Sequence, residues 1–218
     1  MIKSLQTTEK DIIAKEGYPF IAGGYLSSLM LYKKSKIASA LLFSLGAFST
    51  YFFRNPSRKT PQMKNAVISA ADGVVISKGK AFERYFLNKE VNRISVFMSL
   101  FNVHVNRAPV SGRVLDVVYN SGKFLPAYRE KASLDNEQNA ILIEDELKRK
   151  IVVVQIAGLV ARRIVCYKQP KDEVKKGEII GLIRFGSRVD IYTENEISEF
   201  VNIKESVKAG ETILGVLR

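Results

Sequence analysis

Two apolar runs near the start of the chain limit what it can become. Residues 17–32 and 37–53 contain no Asp, Glu, Lys or Arg, and Lys33-Lys34-Ser35-Lys36 separates them. Segments of this kind must pack on protein or enter lipid. The second run is at the short end of what crosses a bilayer. The first holds Pro19 and Gly23-Gly24, which weaken a straight helix. The pattern predicts a helical hairpin, and three placements fit it: re-entrant or interfacial in a membrane, two spans, or a buried pair in a soluble domain. The basic loop, with Arg54, Arg58 and Lys59 beyond, suits an anionic headgroup layer. Residues 1–16 mix acids with bases and do not resemble a cleaved secretory signal.

A stretch punctuated by Pro56 and Pro61 closes this region, predicting a membrane-associating segment over 1–60 and a second domain over 61–218. In the second domain, short β-branched segments alternate with Gly, Asp and Asn turns. Examples are Val74-Val75-Ile76, Ile94-Ser95-Val96-Phe97-Met98 and Ile151-Val152-Val153-Val154-Gln155. This predicts a mostly-β (α+β) fold, a sandwich or irregular barrel of short strands. Val174-Lys175-Lys176-Gly177-Glu178 and the apolar run after it recur as Val207-Lys208-Ala209-Gly210-Glu211 and its apolar run. The echo suggests two strand–turn–strand units of the lipoyl type, without an attachment lysine context.

The net charge of +12 admits two acidic partners, nucleic acid and anionic lipid. The basic residues are not interleaved with aromatics as in RNA-binding modules, which favours lipid. One cysteine, Cys166, excludes an intramolecular disulfide and reads as a core residue of a reducing compartment. With a single histidine besides, the chain cannot build a usual zinc site. Any imidazole chemistry must fall to His104.

Three segments could carry chemistry. Asp72-Gly73 reads by itself as a turn between strands. His104 lies in a polar loop, Asn102-Val103-His104-Val105-Asn106-Arg107, closed by Pro109, where a structural role and a catalytic one weigh equally. Gly186-Ser187 interrupts two strand-like runs; such a pair is usually a bulge or tight turn, but here Arg184 and Arg188 flank it.

In this order, Phe52-Phe53-Arg54-Asn55-Pro56, Asn102-Val103-His104-Val105-Asn106-Arg107-Ala108-Pro109, Gln155-Ile156-Ala157-Gly158-Leu159-Val160-Ala161-Arg162-Arg163-Ile164 and Arg184-Phe185-Gly186-Ser187-Arg188-Val189-Asp190 resemble the short prokaryotic form of the phosphatidylserine decarboxylase family. Lys15-Glu16-Gly17-Tyr18-Pro19-Phe20, Gly122-Lys123-Phe124-Leu125 and Asn136-Glu137 match as well, so the resemblance covers nearly the whole chain. It departs at Ala70 and Leu100, where the family has proline.

The resemblance implies self-cleavage between Gly186 and Ser187 into a β chain (1–186) and an α chain (187–218). Ser187 becomes a pyruvoyl group, with no metal and no pyridoxal phosphate. His104 is implied as base and later as acid, and Asp72 as its acidic partner, giving an Asp72–His104–Ser187 set. Arg184, Arg188 and Arg107 are candidates for the headgroup's oxyanions. The substrate implied is phosphatidylserine, and the place a peripheral or monotopic position on the cytoplasmic side of the cell membrane. No nucleic acid is expected, and a homodimer is compatible. The alternatives are the same chemistry on an ether-linked phosphoserine lipid, an uncleaved Ser-His-Asp membrane hydrolase, and a basic binding domain without activity. A hydrolase of the usual elbow type is disfavoured, because no Gly-x-Ser-x-Gly surrounds Ser187.

Overall fold

A computed structural model describes residues 6–122, 136–158, 163–184 and 186–218. Residues 123–125, 159–162 and 185, which belong to motifs quoted above, lie outside the described residues, and Arg162 with them. The chain forms two compact units, Met1–Ser57 and Arg58–Arg218.

In the first unit, α1 (Tyr18–Leu31) and α2 (Lys36–Phe52) form the expected hairpin. Pro19 falls in the first turn of α1, where its missing N–H costs nothing. Ser35 caps α2, its Oγ accepting from Ala38 N–H at 3.3 Å. Small and polar residues line the helix contact. A Cβ on Gly24 would lie 2.7 Å from Gly46 Cα, and Ser28 and Ser39 exchange bonds, each hydroxyl donating to the other's carbonyl at 2.8 and 2.9 Å. The large apolar side chains face outward, with Leu29, Met30 and Ile37 each more than 70 % exposed. A soluble helical pair has the reverse arrangement. No helix among the described residues is long and apolar enough to cross a membrane. Asn55, from the Phe-Arg-Asn-Pro motif, donates to the carbonyls of Thr8 and Asp11 at 3.1 and 2.7 Å, pinning the hairpin's end to the segment before it.

The second unit is almost all β, as expected. Its strands are β1 (Ala66–Ile68), β2 (Gly73–Glu83), β3 (Lys89–Met98), β4 (Val105–Arg107), β5 (Gly112–Asn120), β6 (Gln138–Glu144), β7 (Lys150–Ala157), β8 (Ile164–Cys166), β9 (Glu173–Val174), β10 (Ile179–Ile183), β11 (Ser187–Thr193), β12 (Ile197–Glu199), β13 (Ser206–Val207) and β14 (Ile213–Leu217). One sheet runs β13-β2-β3-β11-β7-β6-β5-β9, and two smaller ones run β1-β14-β12 and β4-β10-β8. Alternation divides the large sheet's side chains between two faces. Met98, Val96, Val189, Ile191, Val153 and Ala157 join the main core, while Ile156, Val154, Val152 and Tyr192 form a second cluster on the other face.

The strand order is a palindrome. Strands β1, β2, β3, β11, β12, β13 and β14 take the same places as β4, β5, β6, β7, β8, β9 and β10. Hydrogen bonds repeat accordingly. Ser69 N–H donates to Thr212 O and Ala108 N–H to Glu178 O, both at 2.8 Å. Gly210 N–H donates to Ser69 O and Gly177 N–H to Ala108 O, both at 2.9 Å. The sequence echo is thus the visible part of a pseudo-two-fold unit. Its two glycines sit at φ +85° and +78°, the third position of a type II turn, where an L side chain is strained. The half containing β4–β10 is inserted between β3 and β11 of the other. The insertion returns to its host at Gly186–Ser187.

Candidate active site

Ser187 opens β11 at the centre of the large sheet, fully buried, facing Met98 on β3 and Ala157 on β7. Gly186 before it has φ +68°, a conformation costing an L residue about 1–2 kcal/mol. Among the described residues the space a Cβ would fill is open, the nearest neighbour being Leu100 Cδ2 at 4.0 Å. Backbone conformation, not crowding, therefore calls for glycine here. The Gly186 carbonyl accepts from Gly158 N–H at 3.0 Å, and Gly186 N–H donates to Nε2 of His104 at 3.3 Å.

His104 precedes β4, and pairing of β4 with β10 carries it to the turn entering β11; Ile183 N–H donates to its carbonyl at 3.3 Å. Its buried ring places Nδ1 2.9 Å from the Asn102 carbonyl. The Asn102 carbonyl needs a donor and Gly186 N–H an acceptor. The two contacts fit the tautomer with hydrogen on Nδ1 and the lone pair on Nε2.

The Ser187 hydroxyl donates to Met98 Sδ at 3.2 Å, a weak acceptor. Behind the sulfur runs a one-way row of buried amides. Asn139 Nδ2 donates to Gln155 Oε1 at 3.0 Å, Gln155 Nε2 to Asn106 Oδ1 at 2.9 Å, and Asn106 Nδ2 reaches Met98 Sδ at 3.6 Å.

Asp72 is engaged elsewhere. Arg58 Nη2 donates to both its oxygens, at 3.0 and 2.8 Å, and Ala209 N–H to Oδ1 at 2.8 Å. Ser111, its counterpart in the other half, accepts from Lys176 N–H at 2.9 Å, so part of this bonding belongs to the architecture. Among the described residues no direct hydrogen bond joins Asp72 to His104, or His104 to the Ser187 hydroxyl. The fold gathers Gly186, Ser187 and His104 around one peptide bond and holds Asp72 in a cluster with Arg58.

Of the three candidate arginines, Arg188 follows Ser187 in the strand, so its side chain leaves the opposite face. It is 1 % exposed. Its guanidinium forks onto Asp190 at 2.6 and 2.7 Å and reaches Ser95 Oγ at 3.1 Å. Arg107 is buried, with Nη1 donating to the Gly177 carbonyl at 2.9 Å. Arg184 follows β10, half-buried, its N–H donating to the Arg163 carbonyl at 3.2 Å. A cleft of about 670 Å³ lined by residues including Lys64, Asn65, Asp145 and Arg149 lies at the far end of β7 from Gly158 and has no part in this geometry.

Gly158, Met98 and the amide row stand at the site without a role that the motifs imply. Gln155 carried a signal, since an amide inside the run Ile151-Val152-Val153-Val154-Gln155-Ile156-Ala157 is out of keeping with its neighbours. Gly158 carried none, because it contributes only a backbone N–H.

The fold and site define a class: a mostly-β domain in which a buried serine heads a central strand and a buried histidine meets the glycine before it. A profile of the phosphatidylserine decarboxylase family matches residues 45–215. A phosphatidylserine decarboxylase proenzyme from Geotalea uraniireducens is 49 % identical over 206 residues, spanning 94 % of this chain and 96 % of that protein. The proenzymes of Geobacter metallireducens and Geobacter sulfurreducens are each 48 % identical, over 211 and 215 residues; they span 94 % and 96 % of this chain and 96 % and 98 % of their own lengths. The chain belongs to the phosphatidylserine decarboxylase family, which bears out the resemblance read from its motifs.

Proposed function

We propose that this protein converts phosphatidylserine to phosphatidylethanolamine and carbon dioxide, using a pyruvoyl group made from its own Ser187. The observation that carries this reading is the Gly186 peptide. Glycine in a left-handed conformation presents a carbonyl already bonded to Gly158 N–H, with His104 against its amide and Ser187 next in the chain.

Maturation proceeds as follows. The Ser187 hydroxyl leaves Met98 by rotation about χ1, gives its proton to Nε2 of His104, and attacks the Gly186 carbonyl carbon. Gly158 N–H meets the charge developing on oxygen. The C–N bond breaks, His104 returns the proton to the Ser187 nitrogen, and an ester joins Gly186 to Oγ. Nε2 of His104, free again, takes the Ser187 α-proton, and the electron pair left behind expels the Gly186 carboxylate from Cβ. The dehydroalanine left behind takes up water and releases ammonia, leaving a 2-keto acyl group on the α chain.

That group supplies an electron sink for the bond to departing carbon dioxide, the part played elsewhere by pyridoxal phosphate. The site fits it: the serine that becomes it is buried, and an imidazole lies one residue away. His104 Nε2 would take the proton that the substrate's ammonium gives up and return it to the product carbon. Asp72 serves as a positioning group through Arg58 and the Ala209 amide. Arg184, half-buried beside the Gly–Ser bond, is the arginine assigned to the headgroup. An uncleaved hydrolase needs a bonded Ser–His–Asp chain at rest; here the hydroxyl is on Met98 and the carboxylate on Arg58.

The outward apolar side chains of α1 and α2, the polar contact between them, and Lys33, Lys34 and Lys36 at the tip support a hairpin seated in one leaflet of an anionic membrane. We assign the protein to the cytoplasmic face of the cell membrane on that basis. Incubation with phosphatidylserine vesicles tests the activity. Wild type releases carbon dioxide and phosphatidylethanolamine, and borohydride, which reduces the keto group, abolishes this. Undiminished turnover by Ser187→Ala contradicts the proposal.

A further inference from the structure

We infer that Asn136 is a positioning residue for self-cleavage, acting through the Ala157–Gly158 peptide. The inference rests on the maturation reading above and goes beyond it, because it identifies what aims the donor at the Gly186 carbonyl. Asn136 is fully buried. Its Nδ2 donates to the Ala157 carbonyl at 2.7 Å. The N–H of that same peptide, on Gly158, donates to the Gly186 carbonyl at 3.0 Å.

A trans peptide is planar, with C=O and N–H pointing opposite ways. Fixing the Ala157 oxygen therefore fixes the direction of the Gly158 hydrogen. Bonds in series through one amide also polarise each other, so donation to the oxygen strengthens the N–H as a donor. The β6–β7 ladder itself ends short of this oxygen: Ala157 N–H donates to the Glu137 carbonyl at 3.0 Å, and the next bond outward comes from the Asn136 side chain. Asn136 takes over from backbone pairing where β7 stops and the reacting carbonyl begins. The anchor continues in Glu137, whose Oε1 accepts from Tyr119 Oη at 3.0 Å and Ile164 N–H at 3.1 Å. A donor held in place before reaction needs no reorganisation when charge develops.

The test follows precursor conversion by intact mass after synthesis in a cell-free pulse. Wild type, Asn136→Ala and Asn136→Asp are compared across pH. Asn136→Ala is expected to lengthen the precursor half-life about 10- to 100-fold, less than the roughly 100- to 1000-fold effect of losing an oxyanion donor outright, because the Gly158 N–H remains. Hydroxylamine, which cleaves an ester, should not rescue it, because the slowed step is ester formation. Asn136→Asp keeps the shape and covers the case in which the alanine variant does not fold. A buried carboxyl is protonated at low pH and can then donate to Ala157. Its rate relative to wild type should therefore fall as pH rises. Wild-type conversion by Asn136→Ala, rescue by hydroxylamine, or a pH-independent ratio for Asn136→Asp would each overturn the inference while the maturation reading stands. A wild-type chain that stays whole removes that reading and this inference with it.

Discussion

At the scale of single residues, the candidate centre is a set of opposed restraints on one peptide bond. The Ser187 proton rests on sulfur and the His104 lone pair on an amide hydrogen, so the serine must turn before it can react. The row behind Met98 is a stability device of its own. Gln155→Leu leaves the Asn139 and Asn106 amides short of a partner in the core. We predict a loss of about 1–3 kcal/mol in urea unfolding of the Ser187→Ala precursor. Arg188 makes a sharper case. Removing its guanidinium strands the Asp190 carboxylate in the sheet, and Arg188→Met should cost about 3–5 kcal/mol. A headgroup ligand would behave differently, raising KM for the lipid while leaving stability within error. The alternation of strand residues already separates Arg188 from Ser187. The same alternation puts Asp190 on the far face with Arg188; what the sequence could not reveal is that this face is buried, which turns the two charges onto each other.

At the scale of elements, the hairpin and the turns were legible for different reasons. Absence of charge marked α1 and α2, and Gly at the third turn position marked the two repeated strand–turn–strand units. The sequence did not say which way the helices face. Only the pairing of Gly24 with Gly46 and Ser28 with Ser39 turns Leu29 and Met30 outward. If those side chains sit in lipid, Leu29→Asp with Met30→Asp should weaken flotation with anionic vesicles at least about tenfold, since burying each apolar chain is worth roughly 1.5–3 kcal/mol. Unchanged flotation would place the hairpin elsewhere. Asp72 illustrates the opposite limit. Its motif implied a partnership with His104, whereas its oxygens are held by Arg58 and a turn amide supplied by the second repeat, neither of which spacing could predict.

At the scale of the whole molecule, the palindromic strand order leaves both pieces of the proposed cut interleaved in one sheet. The host half resumes at Ser187 after the inserted half, so the proposed cut falls at the seam between two units. Residues 187–218, the proposed α chain, supply β11, between β3 and β7, and β14, paired with β1. Its seven-residue pairings on both sides of β11 make it integral to the core. The two chains should co-elute in size-exclusion chromatography without denaturant and separate only on unfolding; separation in native buffer would contradict this topology. The echo of Val-Lys-x-Gly-Glu hinted at the duplication, but insertion of one half into the other has no signature in a linear sequence. The mostly-β character was legible, and the seam was not.

Conversion of Ser187 by the chain itself is read out by the intact mass of the purified wild-type protein under denaturing conditions. Two species are expected: one ending in the free carboxylate of Gly186, the other beginning at residue 187 with a keto group in place of an amine. A single species of full mass, stable through long incubation, would contradict it.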